Sequence, residues 1–140
     1  MLKPLSLLFL RIGTGLLCAI WGVIRLVEPE VGKHVAEKYY AGLGAAPTLQ
    51  TLWGALLILV GALVVLGLFR RIAYPAQALI LVGGAAAIWQ YLADPVGIWL
   101  MSREDSNVLF FPSLAVAAAT LVLIAFRNED RYSLDALRRR

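Results

Sequence analysis

Taken at alternating steps of three and four residues, Arg11, Thr14, Cys18, Trp21, Arg25 and Glu28 fall on one stripe of a helix. Apart from Ser6, every polar or reactive side chain of the apolar run Leu5–Val27 lies on that stripe. A charge facing lipid costs at least ~2.5 kcal/mol near the bilayer centre, so the stripe is expected to face protein or a cavity. An arginine close to the end of such a run also has the alternative of snorkelling into headgroups. A later apolar run, Ile72–Ala93, offers partners at matching depth. Gln77 is five residues in from its first end and Arg11 six in from the start of the first run, while Gln90 and Arg25 lie near the opposite ends. Glutamine accepts from a guanidinium without adding a second buried charge. Two polar layers are therefore expected, an inner Arg11/Gln77 and an outer Arg25/Gln90.

The outer layer is chemically richer. Trp21, Glu28, Trp89, Tyr91 and Asp94 belong to its level, and His34 is near in sequence. Aromatic walls around one cation and a few hydrogen-bonding groups describe a site for a flat or anionic molecule such as a quinone ring. In that reading Arg25 binds a carbonyl or anion, Gln90 orients it, and Trp21 and Trp89 pack against its apolar part. The same residues also fit the ordinary aromatic belt of a membrane interface.

Other chemistries find no support. One histidine cannot supply paired axial haem ligands, and no Cys/His group has zinc spacing, so no metal is expected. Gly13-Thr14-Gly15 and Gly83-Gly84 sit within apolar runs rather than in a phosphate loop. No serine–histidine–acid set is recognisable and no catalytic residue is assigned. The single cysteine, Cys18, forms no intramolecular disulfide and reads as a packing residue. No intrinsic cofactor is expected; a bound quinone is the one candidate.

Four apolar runs must position these groups: Leu5–Val27, Leu52–Phe69, Ile72–Ala93 and Val108–Phe126. About 20 apolar residues cross a hydrocarbon core of roughly 30 Å. Of the 140 residues 61% are hydrophobic and only 16% charged, against about 25% charged in soluble domains, so no polar shell is available. The expected fold is all-α: residues 1–140 as one domain, an integral membrane four-helix bundle. Lys3 precedes a run too long for a secretory signal, which reads as a retained first helix. Arg70-Arg71 alone join the second and third runs, making them antiparallel neighbours.

With four crossings, Lys3, Arg11, Arg70, Arg71, Arg127, Arg131 and Arg138–Arg140 fall on one side, and Arg25, Lys33, Lys38 and Arg103 on the other. That bias places both termini in the cytoplasm. The net charge of +4 then reads as topology rather than nucleic-acid binding, with Arg138–Arg140 touching anionic membrane lipid.

Shorter signals refine the picture. Val31, Val35, Tyr39 and Leu43 recur every four residues within Glu28–Thr51, which fits a short amphipathic helix in the outer interface. Pro75 and Pro112 are placed in first helical turns, and Ser133 as the cap of a short helix through Arg140. Gly15/Ala19, Gly83/Ala87 and Ala115/Ala119 are small pairs spaced for close helix contact in lipid.

The stretch from Phe9-Leu10-Arg11-Ile12-Gly13 to Trp21-Gly22-Val23-Ile24-Arg25-Leu26 is similar to the first helix of DoxX-family membrane proteins. The tail Arg131-Tyr132-Ser133-Leu134-Asp135-Ala136-Leu137 resembles that family's aromatic-Ser-Leu-Asp ending, and Gly61 with Gly67-Leu68-Phe69-Arg70 resembles its glycine-rich second helix and basic turn. The chain departs from the pattern at Asn128-Glu129-Asp130, where a Gly-Pro-Gly turn is usual, and at Gln50 and Asn107, where glutamates are frequent; Arg25 stands where lysine is common. The resemblance implies a multi-pass bundle in the cell inner membrane. Some relatives are associated with a thiosulfate:quinone oxidoreductase or with complexes handling oxidative and sulfur stress. An accessory membrane subunit with a redox protein partner is thus expected ahead of a self-sufficient enzyme. The alternatives are a non-catalytic assembly or anchoring subunit and, as a homo-oligomer, a small-solute or lipid carrier.

Overall fold

A computed structural model describes residues 1–139. Among them every regular element is helical: α1 (Leu2–Val27), α2 (Pro29–Tyr39), α3 (Pro47–Leu66), α4 (Arg70–Ala87), α5 (Trp89–Ala93), α6 (Pro112–Ala125) and α7 (Leu134–Leu137), with single 3-10 turns at Val108–Phe110 and Arg127–Glu129. Arg140, the last residue of the expected tail helix and basic run, lies outside the described residues.

Among the described residues three segments are long and apolar enough to cross a membrane: Leu2–Val27, Pro47–Leu66 and Val108–Ala125. This is the pattern of a multi-pass membrane protein. Large side chains such as Leu52, Leu59, Leu79 and Leu121 are exposed along the helices, which is tolerable where the surrounding medium is lipid. The third expected run is not among these segments. Its helix, α4, starts on Arg70-Arg71 and ends at Ala87, where Ile88 leaves helical geometry before the short α5. The expected continuous helix Ile72–Ala93 is therefore two pieces.

Other boundaries shift for local reasons. The second run starts at Pro47 rather than Leu52, because proline suits the first helical position, where its missing N–H is not needed. It ends at Leu66 rather than Phe69, because Gly67 takes a left-handed φ of 67° and closes the last turn. The fourth run opens with a 3-10 turn before Pro112 begins α6. Pro75 lies inside α4, not in its first turn, so one intrahelical hydrogen bond is missing there. The connection after α1 does fold as a helix, α2, but its buried residues are Gly32 and Ala36, one step from the expected apolar stripe.

The longer helices neighbour one another in the order α1, α3, α4, α6 and back to α1. The closest approach is α1 on α3, and two reciprocal glycine pairs make it possible. A Cβ on Gly15 would lie 2.9 Å from the Gly61 carbonyl oxygen, and one on Gly61 would lie 2.6 Å from that of Gly15. Gly22 and Gly54 repeat the arrangement at 2.6 and 3.0 Å. Two turns separate the pairs on each helix, so backbones touch at two levels, as helices in lipid require for tight association. Ala19 joins the first contact, against Gly61, whereas Gly83 has nothing within 4 Å and Ala87 and Ala115 are exposed. An apolar core of Leu7, Val60, Val64, Ala73, Tyr74 and Leu123 fills one end of the molecule.

Candidate functional site

At the end where α1 begins, α3 ends and α4 begins, Arg11 is only 3% exposed. Its Nη2 donates to the Tyr132 carbonyl at 3.2 Å, and its Nη1 stands 3.6 Å from Asp130 Oδ2. That separation is close enough for Coulomb attraction but too long for a hydrogen bond. Asp130, 1% exposed, accepts from the Tyr74 hydroxyl at 2.5 Å through the same oxygen. Arg70 turns inward and donates through Nη1 to the carbonyls of Arg127 (2.6 Å) and Asp130 (3.0 Å). Asp135 accepts from the Arg70 backbone N–H at 2.9 Å and lies 3.7 Å from its Nε. Ser133 caps α7 through Ala136 N–H, as its position before Leu134 implied, and donates to the Asp130 carbonyl. The polar tail thus folds back over α1, α3 and α4 as a strap.

One turn deeper, the Thr14 hydroxyl donates to the Leu10 carbonyl (2.9 Å) and stands 3.5 Å from Gln77 Oε1. Gln77, fully buried, points its Nε2 toward Cys18 Sγ at 3.9 Å. Arg11, Thr14 and Cys18 therefore face the interior as the stripe implies, but Trp21 does not; it is exposed. Arg11 and Gln77 both line this inner layer without pairing with each other; the tail gives Arg11 a counter-charge and one acceptor, while its Nε and Nη1 have no hydrogen-bond partner among the described residues.

At the opposite end, Arg25 is half-buried beneath α2. Its Nη1 donates to Gln50 Oε1 at 2.6 Å, and Gln50 Nε2 donates to the Gly44 carbonyl. Its partner is thus Gln50 rather than the expected Gln90. Among the described residues the Nε of Arg25 is buried with no acceptor, as are the Nε and Nη1 of Arg11 and the Nε of Arg70. Tyr40 lies close enough to feel the guanidinium: burial raises its phenol above the ordinary value, and the Arg25 charge pulls the other way. Gly32 packs here because a Cβ would meet Gln50 Oε1 and Arg25 Cγ.

The other outer residues scatter. Glu28, Trp89 and Gln90 are exposed. Asp94, 1% exposed, is consumed by its own loop: Oδ1 accepts from Ile98 N–H at 2.8 Å, and Oδ2 from Trp99, Leu100 and Met101 at 2.9, 2.7 and 3.1 Å. Burial works against its charge, but these four N–H groups hold the carboxyl well below the usual carboxylate range. Tyr91 stacks edge-on with Tyr39 (5.5 Å between centroids) and Phe110 (5.1 Å), tying α5 to α2.

Asp130, Tyr74, Arg70 and Gln50 were not singled out from sequence as partners. The available signals were the tail's Asp-Arg-Tyr-Ser-Leu-Asp run and an amide opening an otherwise apolar helix. No family model, curated protein or solved structure matches the chain.

Proposed function

We propose that the protein is a four-crossing inner-membrane protein of DoxX-like type, with both termini cytoplasmic, that serves as a small subunit or partner of a quinone- or sulfur-linked redox system. Its ligand site is Arg25, near the outer leaflet. The observation that supports this reading is the pairing of that guanidinium: half-buried and held by one neutral amide, with no ion pair among the described residues, whereas Arg11 and Arg70 each face a carboxylate. A cation so placed retains free capacity for a carbonyl or anion, which a carboxylate partner would consume. The sidedness is supported by the nine-to-four distribution of basic residues and requires α4 to cross between α3 and α6, beyond the three segments long and apolar enough to do so. Trp21, Glu28, Trp89, Gln90 and Asp94 border the same end, and their exposed members would meet the ligand only from the lipid or headgroup side.

The test uses the full chain in nanodiscs and a fluorescent quinone analogue. Arg25→Gln is expected to weaken binding about tenfold or more, as loss of a charge-assisted hydrogen bond does, while helix content is unchanged. Unaltered binding would leave Arg25 as a lipid anchor. A second reading, an anchoring subunit, draws on the outer loop. Asp94 holds exposed Ile98 and Trp99 in a rigid apolar turn suited to a membrane protein partner.

A further inference from the structure

At the reversal between α3 and α4 one apolar helix ends at Leu66 and the next opens on Arg70-Arg71, the pattern of a chain leaving lipid for water. A groove of about 320 Å³ opens there, lined by Phe69, Arg71, Ile72, Asp135, Arg138 and Arg139. Its two halves differ in character. Arg71, Arg138 and Arg139 are exposed cations of its lining. Phe69 and Ile72 are 60% and 72% exposed and give the groove an apolar wall. The one acid in the lining does not cancel the cations, because Asp135 is already held by the backbone N–H and the Nε of Arg70. Arg70 in turn is drawn inward by the Arg127 and Asp130 carbonyls. The consecutive arginines thus divide, one closing the strap and the other, among the described residues, left without an ion pair beside the groove.

We propose that this groove binds the headgroup of an anionic phospholipid, with phosphate on Arg71, Arg138 and Arg139 and the upper acyl chain against Phe69 and Ile72. Guanidinium forks suit phosphate oxygens, and each basic residue near an anionic surface adds attraction. A soluble phosphate ion would use the arginines but has no use for the apolar wall, which is why a lipid is the occupant. The site is at the opposite end from Arg25 and independent of any ligand there.

Native mass spectrometry of the full chain, released from neutral detergent, reads the outcome. With phosphatidylglycerol and phosphatidylcholine of identical chains offered together, phosphatidylglycerol should be retained about tenfold or more over its rival. The triple variant R71Q/R138Q/R139Q should lose that preference, whereas K33Q/K38Q/R103Q, which removes equal charge elsewhere, should keep it. Ile72→Ser should lower retention without abolishing the preference. Millimolar inorganic phosphate should leave the lipid bound. Equal retention of both lipids, or the same loss in both triple variants, would reduce the groove to unspecific charge. Displacement by inorganic phosphate would overturn the lipid assignment in favour of a free anion.

Discussion

Arg11 and Arg25 lie on the same helix, and the fold treats them oppositely. Arg11 is enclosed, faces a carboxylate, and is overlaid by a tail that also engages Arg70 and Tyr74. Arg25 is half open and held by a glutamine that is itself occupied by a loop carbonyl. A buried cation with a counter-charge becomes a fastening, because removing either partner leaves a charge that neither lipid nor protein can solvate. A cation with a neutral partner near an open end keeps its charge for something else. Chemically identical side chains thus divide into a structural and an available one through their neighbours alone.

The most direct way to break the contrast is to remove the counter-charge. Asp130→Ala should destabilise the protein by about 3 kcal/mol or more, read by denaturant unfolding in micelles, because Arg11 is left buried and unpaired and Tyr74 loses its acceptor. A loss comparable to that of Arg25→Gln, expected within about 1 kcal/mol for a half-exposed group with one neutral partner, would erase the distinction.

Glycine substitutions sharpen it. At the inner end Gly67 has φ 67°, and a Cβ there would run into Arg11 Nη1 and Ser133. Gly67→Ala should cost about 2 kcal/mol from strain and displaced guanidinium together. At the outer end a Cβ on Gly32 meets the buried amide end of the Gln50 side chain, which can change rotamer where backbone cannot. Gly32→Ala should therefore cost less than about 1 kcal/mol, while swinging Gln50 away from Arg25 and changing quinone-analogue affinity. Equal costs at the two positions would mean that the outer end is as tightly closed as the inner.

The smallest effect is local. Because the Asp94 carboxyl is held below its ordinary value, the stability that it contributes is fully present above about pH 4. It is lost only as pH falls toward the lower, folded-state value. Trp99 emission, with the other three tryptophans replaced by phenylalanine, should report the loop intact at pH 4 and altered by Asp94→Asn at pH 7. A transition centred near pH 4 would show that the four N–H donors do not hold the carboxylate.

What could be read in advance divides along the same line as physical range. Helical character and the first helix's C-terminal end followed from run length and from charge at Glu28, and Arg11, Thr14 and Cys18 were placed inward by periodicity alone. Periodicity placed Trp21 inward as well and failed there, because its large apolar ring is as comfortable in lipid as in protein. Asp130 escaped because it is remote in sequence, in a tail whose polarity looked like ordinary solvation. Gln50 escaped because depth matching selected Gln90 without information on which faces meet. The reciprocal contacts of Gly22 and Gly54 are spaced by seven residues from Gly15 and Gly61, not by the four that small-residue pairs call to mind.

The strap has a consequence in time. Arg11 enters the membrane early in synthesis, yet the tail carbonyl that it grips belongs to a residue 121 positions later. At roughly 5–20 residues per second that is a wait of about 6–24 s. Until then the first helix carries an unmatched cation, with its guanidinium held at the headgroups by a long flexible stem. A chain halted before Asp130 would carry an arginine with no counter-ion, a lasting mark of incomplete synthesis that a membrane protease could read.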